Sequence, residues 1–134
     1  MTLRALVVDD NAINVDLAGF VLRAHGFVVE SAGGADEAII RTRAFRPDVI
    51  LMDIQMPEVD GVTAVRRLRD DPATREVVII AFTAYAMKGD EQKLRAAGCD
   101  GYIAKPIDVA SFARTVRMHV DARRTGGSVA PGLD

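Results

Sequence analysis

The 134-residue chain contains a single cysteine, Cys99, and only two histidines, His25 and His119. One cysteine excludes an intramolecular disulfide framework, and no His–Cys pair has the spacing of a zinc site. We therefore expect Cys99 to be a small buried or half-buried side chain. The two histidines are expected near helix ends, without a chemical role.

Long apolar runs, excess basic charge and nucleotide-binding glycine patterns are also missing from the sequence. No apolar stretch approaches the length of a transmembrane helix, and the N-terminus lacks the apolar region of a signal peptide. The formal net charge of −2 argues against generic nucleic-acid binding. The Gly33-Gly34 pair lacks the spacing of a dinucleotide or P-loop motif. We therefore expect a cytoplasmic protein with no membrane or nucleic-acid partner.

Five short runs rich in β-branched residues alternate with helical patterns along the chain. The runs are Leu3–Val8, Val28–Ser31, Val49–Met52, Val77–Phe82 and Gly101–Ile103. This alternation predicts βαβ units and a parallel α/β sheet. The central runs are continuously apolar, which indicates that helices cover both faces of the sheet.

Apolar residues recur at helical spacing between these runs. The buried stripe predicted for the first helix consists of Ile13, Leu17, Val21 and Ala24. Asp108 is the predicted N-cap of the last helix, whose stripe is Val109, Phe112, Val116 and Val120. Solvated helix faces are predicted for a group of arginines, namely Arg66, Arg67, Arg69 and those between Arg41 and Arg46.

Residues 1–121 form one predicted domain, and the Gly/Pro-rich residues 122–134 are expected to be a flexible tail with no room for an output domain.

Charged side chains follow three of the predicted strands. Asp9 and Asp10 follow the first run, Asp53 follows the third and Lys105 follows the fifth. Because parallel strands end at one edge of a sheet, we expect these side chains to converge. Like charges about 4 Å apart repel by roughly 4 kcal/mol at an effective dielectric near 20. The cluster therefore requires a bound cation, an ammonium group or the uptake of a proton by one carboxyl group.

Four local motifs at these strand ends together resemble one protein family. They read Val-Val-Asp-Asp-Asn at 7–11, Leu-Met-Asp-Ile-Gln-Met-Pro-Glu-Val-Asp-Gly at 51–61, Thr-Ala-Tyr-Ala-Met-Lys-Gly-Asp at 83–90 and Tyr-Ile-Ala-Lys-Pro-Ile at 102–107. In this order they closely resemble the receiver domain of bacterial two-component response regulators, over about Leu3 to Val120. The third motif is particularly similar to single-domain regulators and to the receivers of hybrid histidine kinases. The resemblance implies a flavodoxin-like (βα)5 doubly wound parallel sheet of strand order 2-1-3-4-5, with the site at its carboxyl edge.

The resemblance also implies a phosphoryl acceptor and a metal site. Asp53 would be the nucleophile that takes a phosphoryl group from a sensor histidine kinase or a histidine phosphotransfer protein. Asp10, Asp53 and the backbone carbonyl of Gln55 would hold Mg²⁺ or Mn²⁺, with Asp9 acting through a coordinated water. These residue types suit the chemistry, since a carboxylate can form an acyl phosphate and Mg²⁺ prefers oxygen ligands.

Further residues have implied roles in binding the phosphoryl group and in switching. Lys105 would pair with one phosphoryl oxygen and Thr83 would donate a hydrogen bond to another, as suits charge on equatorial oxygens. Thr83 and Tyr102 would be the switch pair, and Pro106 would follow a cis peptide bond. We also expect Tyr85 to shield the acyl phosphate from water.

The implied function is that of a signalling switch, a single-domain response regulator that catalyses only its own phosphorylation and dephosphorylation. Its output would be protein contact through the face of the fourth helix, fifth strand and fifth helix, with a homodimer as an alternative.

Two other functions stay open at the level of sequence. A phosphatase of the haloacid dehalogenase type would place its nucleophile after the first strand in an Asp-x-Asp-x-Thr pattern, whereas this chain reads Asp-Asp-Asn-Ala-Ile. A phosphorylation-independent docking scaffold with the receiver fold would be expected to lose an acid or the lysine, and all are present.

Overall fold

A computed structural model describes residues 2–54, 61–83 and 90–124 of the chain. The strands are β1 (Arg4–Val8), β2 (Val28–Ala32), β3 (Val49–Asp53), β4 (Val78–Thr83) and β5 (Gly101–Ala104). The helices are α1 (Ala12–Ala24), α2 (Ala35–Phe45), α3 (Gly61–Asp70), α4 (Asp90–Ala97) and α5 (Phe112–Arg124). The strands form one parallel sheet in the order β2-β1-β3-β4-β5, which confirms the predicted flavodoxin-like topology.

Strand boundaries differ from the predicted ones by about one residue, and the differences place functional residues inside strands. β3 extends to Asp53 and β4 extends to Thr83, so each of these residues is the last of its strand. Both strands are buried along their whole length. The two side chains therefore extend from the ends of fully buried strands.

Two apolar cores lie on opposite faces of the sheet because successive strand residues point to opposite sides. Ala5 and Val7 of β1 face the first core, which also contains residues of α1 and α5. Leu6 and Val8 face the second core, with residues of α2, α3 and α4. Each fully buried aliphatic side chain stabilises the fold by roughly 1.5–3 kcal/mol relative to exposure. This packing fixes the strand ends that carry the site.

The buried face of α1 differs from the predicted stripe in all but one residue. Val21 is buried as predicted, whereas Ile13, Leu17 and Ala24 are exposed. Ile13 and Leu17 are 77% and 38% exposed, and Phe20 is 72% exposed. The buried face consists of Ala18, Gly19, Val21 and Leu22. The helix carries two apolar stripes, so periodicity could not identify the one that faces the sheet. Small residues at 18 and 19 let α1 pack closely, and the bulkier stripe lies in solvent.

The start of α5 is preceded by one extra turn. Asp108 accepts hydrogen bonds from the Ala110 N–H (3.1 Å) and the Ser111 hydroxyl (3.0 Å). It therefore caps this turn, and α5 itself begins at Phe112. Val109, predicted in the buried stripe, is 55% exposed because it lies in the turn.

The end of α5 lies three residues beyond the predicted domain boundary. The helix continues to Arg124, so residues 122–124 of the predicted tail are helical, and residues 125–134 lie outside the described residues. Among the described residues, no helix is long and apolar enough to cross a bilayer.

Arg69 is partly buried, although a solvated helix face was predicted for it. The prediction is correct for the other arginines of that group, which are exposed: Arg41, Arg43, Arg46, Arg66 and Arg67. The Arg69 guanidinium donates to the Gly98 carbonyl (2.9 Å) and to the Asp100 carboxylate (2.9 Å). Burial lowers the pKa of Arg69, and the charge of Asp100 opposes that shift. Asp100 also accepts from Arg123 of α5 (2.6 Å) and from the Ile79 N–H of β4 (2.9 Å). Arg69 thus joins α3 to the segment before β5.

Replacing Asp100 with alanine is expected to lower the free energy of unfolding by about 2–4 kcal/mol, because a part-buried guanidinium and an N–H lose their acceptor. Urea denaturation measures the change. Asp36→Ala is the control, since its 81% exposed carboxylate pairs with Arg67 on the surface and should contribute less than about 1 kcal/mol. Equal losses in the two variants would contradict this assignment.

Candidate functional site

The carboxyl edge of the sheet brings together the charged residues that follow the strands. Asp53 ends β3, Asp9 directly follows β1 and Lys105 directly follows β5. Asp9, Asp10 and Asp53 each present a carboxylate oxygen within 4.8 Å of the others. The predicted convergence of these side chains is therefore present in the structure.

Lys105 bridges two of the three carboxylates. Its Nζ lies 3.1 Å from Asp9 Oδ2 and 3.2 Å from Asp53 Oδ1. Both aspartates are 2% exposed, so the ion pairs lie in a largely water-free setting where charges interact strongly. The cluster contains three carboxylates and one ammonium, so its formal charge is negative.

The donor set fits a hard divalent cation. Carboxylate oxygens are the ligands that Mg²⁺ and Mn²⁺ prefer, and one or two carboxylates per ion are usual for Mg²⁺. Asp10 is exposed beside the buried Asp9 and Asp53, so the cluster opens to solvent on one side. An ion could therefore reach the cluster and keep part of its hydration shell, as Mg²⁺ requires.

Asn11 was not identified from the sequence, although it fixes the start of α1 beside the cluster. Its side chain accepts hydrogen bonds from the N–H groups of Ile13 (2.9 Å) and Asn14 (3.3 Å), so it is the N-cap. Its own N–H donates to Asp9 Oδ1 (2.9 Å). An asparagine directly before an apolar helical pattern is the signal that could have revealed it.

Gly61 lets α3 begin directly against the end of β3. A Cβ at this position would lie 2.7 Å from Ile54 Cα and would also collide with the backbone carbonyl of Asp53. The Gly61 N–H donates to the Ile54 carbonyl at 3.2 Å. Only a residue without a side chain permits this approach, so Gly61 allows α3 to begin beside the backbone of Asp53.

Thr83 and Lys105 are linked through the backbone. The Lys105 N–H donates to the Thr83 carbonyl at 2.8 Å, and the Lys105–Pro106 peptide bond is cis. Thr83 is 3% exposed at the end of β4. Tyr102 lies on β5, half-buried, and packs against the second core. Gln55 and Tyr85 lie outside the described residues.

The cysteine and the histidines lie away from the carboxylate cluster. Burial raises the pKa of the Cys99 thiol to about 12, so the thiol stays protonated and unreactive at neutral pH. His25 is the C-cap of α1, at a helix end as predicted. His119 lies instead on the buried face of α5, where its ring fills the space that a side chain at Gly101 would need.

Comparison with known proteins identifies close relatives of the chain. Residues 5–117 match the response regulator receiver domain family. The polar-differentiation response regulator DivK of Brucella ovis is 41% identical over 120 residues, covering 90% of this chain and 98% of the relative. DivK of Brucella anthropi is 42% identical over 115 residues, covering 86% and 94%.

Solved structures show the same fold. The receiver domain of the sensor histidine kinase PA1611 from Pseudomonas aeruginosa, with a magnesium ion coordinated in its active-site cleft, has a TM-score of 0.81 and 33% identity, covering 90% of this chain and 99% of that chain. The chemotaxis response regulator CheY4 of Vibrio cholerae has a TM-score of 0.83 and 25% identity, covering 89% and 99%.

Proposed function

Because the chain belongs to the response regulator receiver domain family, we propose that Asp53 accepts a phosphoryl group from a sensor histidine kinase or a histidine phosphotransfer protein. One observation carries this proposal. The Asp53 carboxylate ends a buried strand, 3.2 Å from the Lys105 ammonium and beside two further carboxylates. A nucleophile, a cation and acidic ligands thus share one small volume.

The transfer exchanges one bond to phosphorus for another. A carboxylate oxygen of Asp53 forms the new O–P bond as the N–P bond of the donor phosphohistidine breaks, and the imidazole nitrogen keeps the electron pair. Lys105 is already in contact with Asp53, so its ammonium can pair with a phosphoryl oxygen after a small movement. The Thr83 hydroxyl would donate to a second phosphoryl oxygen.

The carboxylates would serve as metal ligands in the same reaction. Asp10, Asp53 and the Gln55 backbone carbonyl would hold Mg²⁺ or Mn²⁺, and Asp9 would act through a coordinated water. When bound, the ion supplies positive charge that offsets the charge of the phosphoryl oxygens. The Asn11 N–H donates to Asp9 and so orients its carboxylate, and Asp10 lies on the solvent-exposed side of the cluster.

The first turns of α1 offer a docking surface for the phosphoryl donor. α1 begins at Ala12, one residue after the acidic pair, and its apolar stripe Ile13, Leu17 and Phe20 is exposed. A protein that presents a phosphohistidine to Asp53 must approach this rim of the sheet. An exposed apolar stripe there is suited to protein contact.

Output would pass through protein contacts on another face. Thr83 and Tyr102 are the proposed switch pair, biased by new hydrogen bonds to the phosphoryl group. They lie on neighbouring strands, β4 and β5, so movement of one can affect the other. The downstream partner would bind the face of α4, β5 and α5, and a homodimer through this face is an alternative.

The same proposal describes a cytoplasmic signalling protein that catalyses only its own phosphorylation and dephosphorylation. A phosphorylation-independent docking scaffold is not favoured, because the three acids and the lysine are all present, and Lys105 is paired with two of the acids.

Incubation with acetyl phosphate tests the proposal. With Mg²⁺, intact mass should show that the protein gains one phosphoryl group, and EDTA should slow the gain by at least about 100-fold. Excess Mg²⁺ added after EDTA should restore the rate, which shows that the protein has stayed folded. Absence of uptake with Mg²⁺ would support the scaffold, and equal uptake with EDTA would refute the metal site.

A further inference from the structure

Phe82 is a third neighbour of the Lys105 ammonium. Lys105 Nζ lies over the Phe82 ring, 5.0 Å from its centroid, in addition to its contacts with Asp9 and Asp53. Phe82 is 1% exposed and lies opposite Asp53 in the register of β3 and β4. The Phe82 ring is therefore buried and packed directly against the Lys105 side chain.

The Phe82 ring attracts the ammonium without carrying a charge, unlike the two carboxylates. A cation is attracted to the face of an aromatic ring, and the attraction grows when water is excluded. The carboxylates are charged, and one of them, Asp53, changes its charge distribution when it accepts a phosphoryl group. The ring is neutral and stays unchanged, so it can hold the ammonium without competing with phosphoryl oxygens.

A second buried aromatic ring packs beside Phe82. The rings of Phe82 and Phe112 have centroids 6.1 Å apart and are tilted by 32°. Phe112 is the first residue of α5 and is 2% exposed. Of these two neighbouring buried rings, it is Phe82 whose face lies under the Lys105 ammonium.

We infer that Phe82 is a positioning residue for Lys105, whose ammonium it holds at the phosphoryl site through its ring face. A lysine side chain has a flexible four-carbon stem, and a fixed ring restricts the positions that its ammonium takes. The inference rests on the proposed function for the role of Lys105, but the contact itself can be tested separately.

NMR tests the contact without any phosphoryl transfer. The ring current of Phe82 should shift the Cε–Hε signals of Lys105 upfield of those of the exposed Lys93, and the chain has only three lysines to assign. Phe82→Leu should remove the shift. Phe112→Leu is the matched control, because it removes an equally buried ring from the same stack but should preserve most of the shift. If the wild-type protein shows no shift, or if Phe82→Leu retains it, the inference is wrong.

Kinetics tests the consequence. Phe82→Leu should slow phosphoryl uptake from acetyl phosphate about tenfold more than Phe112→Leu does. Urea denaturation of both variants checks that they are folded and similarly destabilised. Equal rates in the two variants would overturn the positioning role. If wild type itself takes up no phosphoryl group, the proposed function fails, and the NMR result still decides whether the ring holds the lysine.

Discussion

Replacing Asp53 with asparagine is expected to abolish covalent phosphoryl uptake. The carboxamide is a far weaker nucleophile than the carboxylate, so the rate with acetyl phosphate and Mg²⁺ should fall by more than about 1000-fold. The change is nearly isosteric and removes one of three mutually repelling charges, so the fold should be retained. Intact mass after incubation measures the uptake.

Asp10→Asn is the matched control for this variant. It removes a charge from the same cluster but leaves the nucleophile in place. Uptake should be slower at low Mg²⁺ and should recover at high Mg²⁺, whereas Asp53→Asn should not recover at any concentration. Modification of Asp53→Asn at the wild-type rate would show that another residue is the acceptor.

Replacing Lys105 with alanine is expected to impair both the chemistry and the metal-free fold. Loss of a positioned charge that stabilises a transition state typically costs about 100-fold or more in rate. In the metal-free protein the change also leaves the buried carboxylates of Asp9 and Asp53 without their shared ammonium. Breaking such a buried pair costs about 3–5 kcal/mol.

Thermal unfolding with and without Mg²⁺ separates these two effects. A bound divalent cation takes over the role of the missing ammonium, so Mg²⁺ should raise the melting temperature of Lys105→Ala more than that of wild type. Lys93→Ala, which alters an exposed lysine of α4, should behave like wild type. An identical Mg²⁺ effect on Lys105→Ala and wild type would show that Lys105 and the ion do not share the carboxylates.

The convergence of the acidic residues could be predicted because it depends only on topology. Apolar runs that alternate with helical patterns require a parallel sheet, and all strands of such a sheet end at one edge. Asp9, Asp53 and Lys105 each follow or end a strand, so their proximity follows from the strand order. The pairing of Lys105 with both aspartates depends on side-chain conformation, which the sequence pattern does not contain.

Other features required the tertiary structure. α1 has two apolar stripes, and either could have packed against the sheet. The stripe that contains the small residues Ala18 and Gly19 is the buried one, because small side chains allow closer packing. Arg69 has the spacing of an exposed residue, yet its partner Asp100 lies in a distant segment. In the sequence Phe82 looks like any other apolar strand residue. Its contact with Lys105 depends on how β4 and β5 lie side by side, so it could not be predicted.

The most direct measurement is to locate the phosphoryl group in the chain. Borohydride reduces an acyl phosphate to the corresponding alcohol, so peptide mass mapping of the phosphorylated and then reduced protein identifies the modified residue. We expect a single reduced side chain, at position 53. Modification at Asp9 or Asp10 instead, or at a residue outside this cluster, would contradict the assignment of Asp53 as the phosphoryl acceptor.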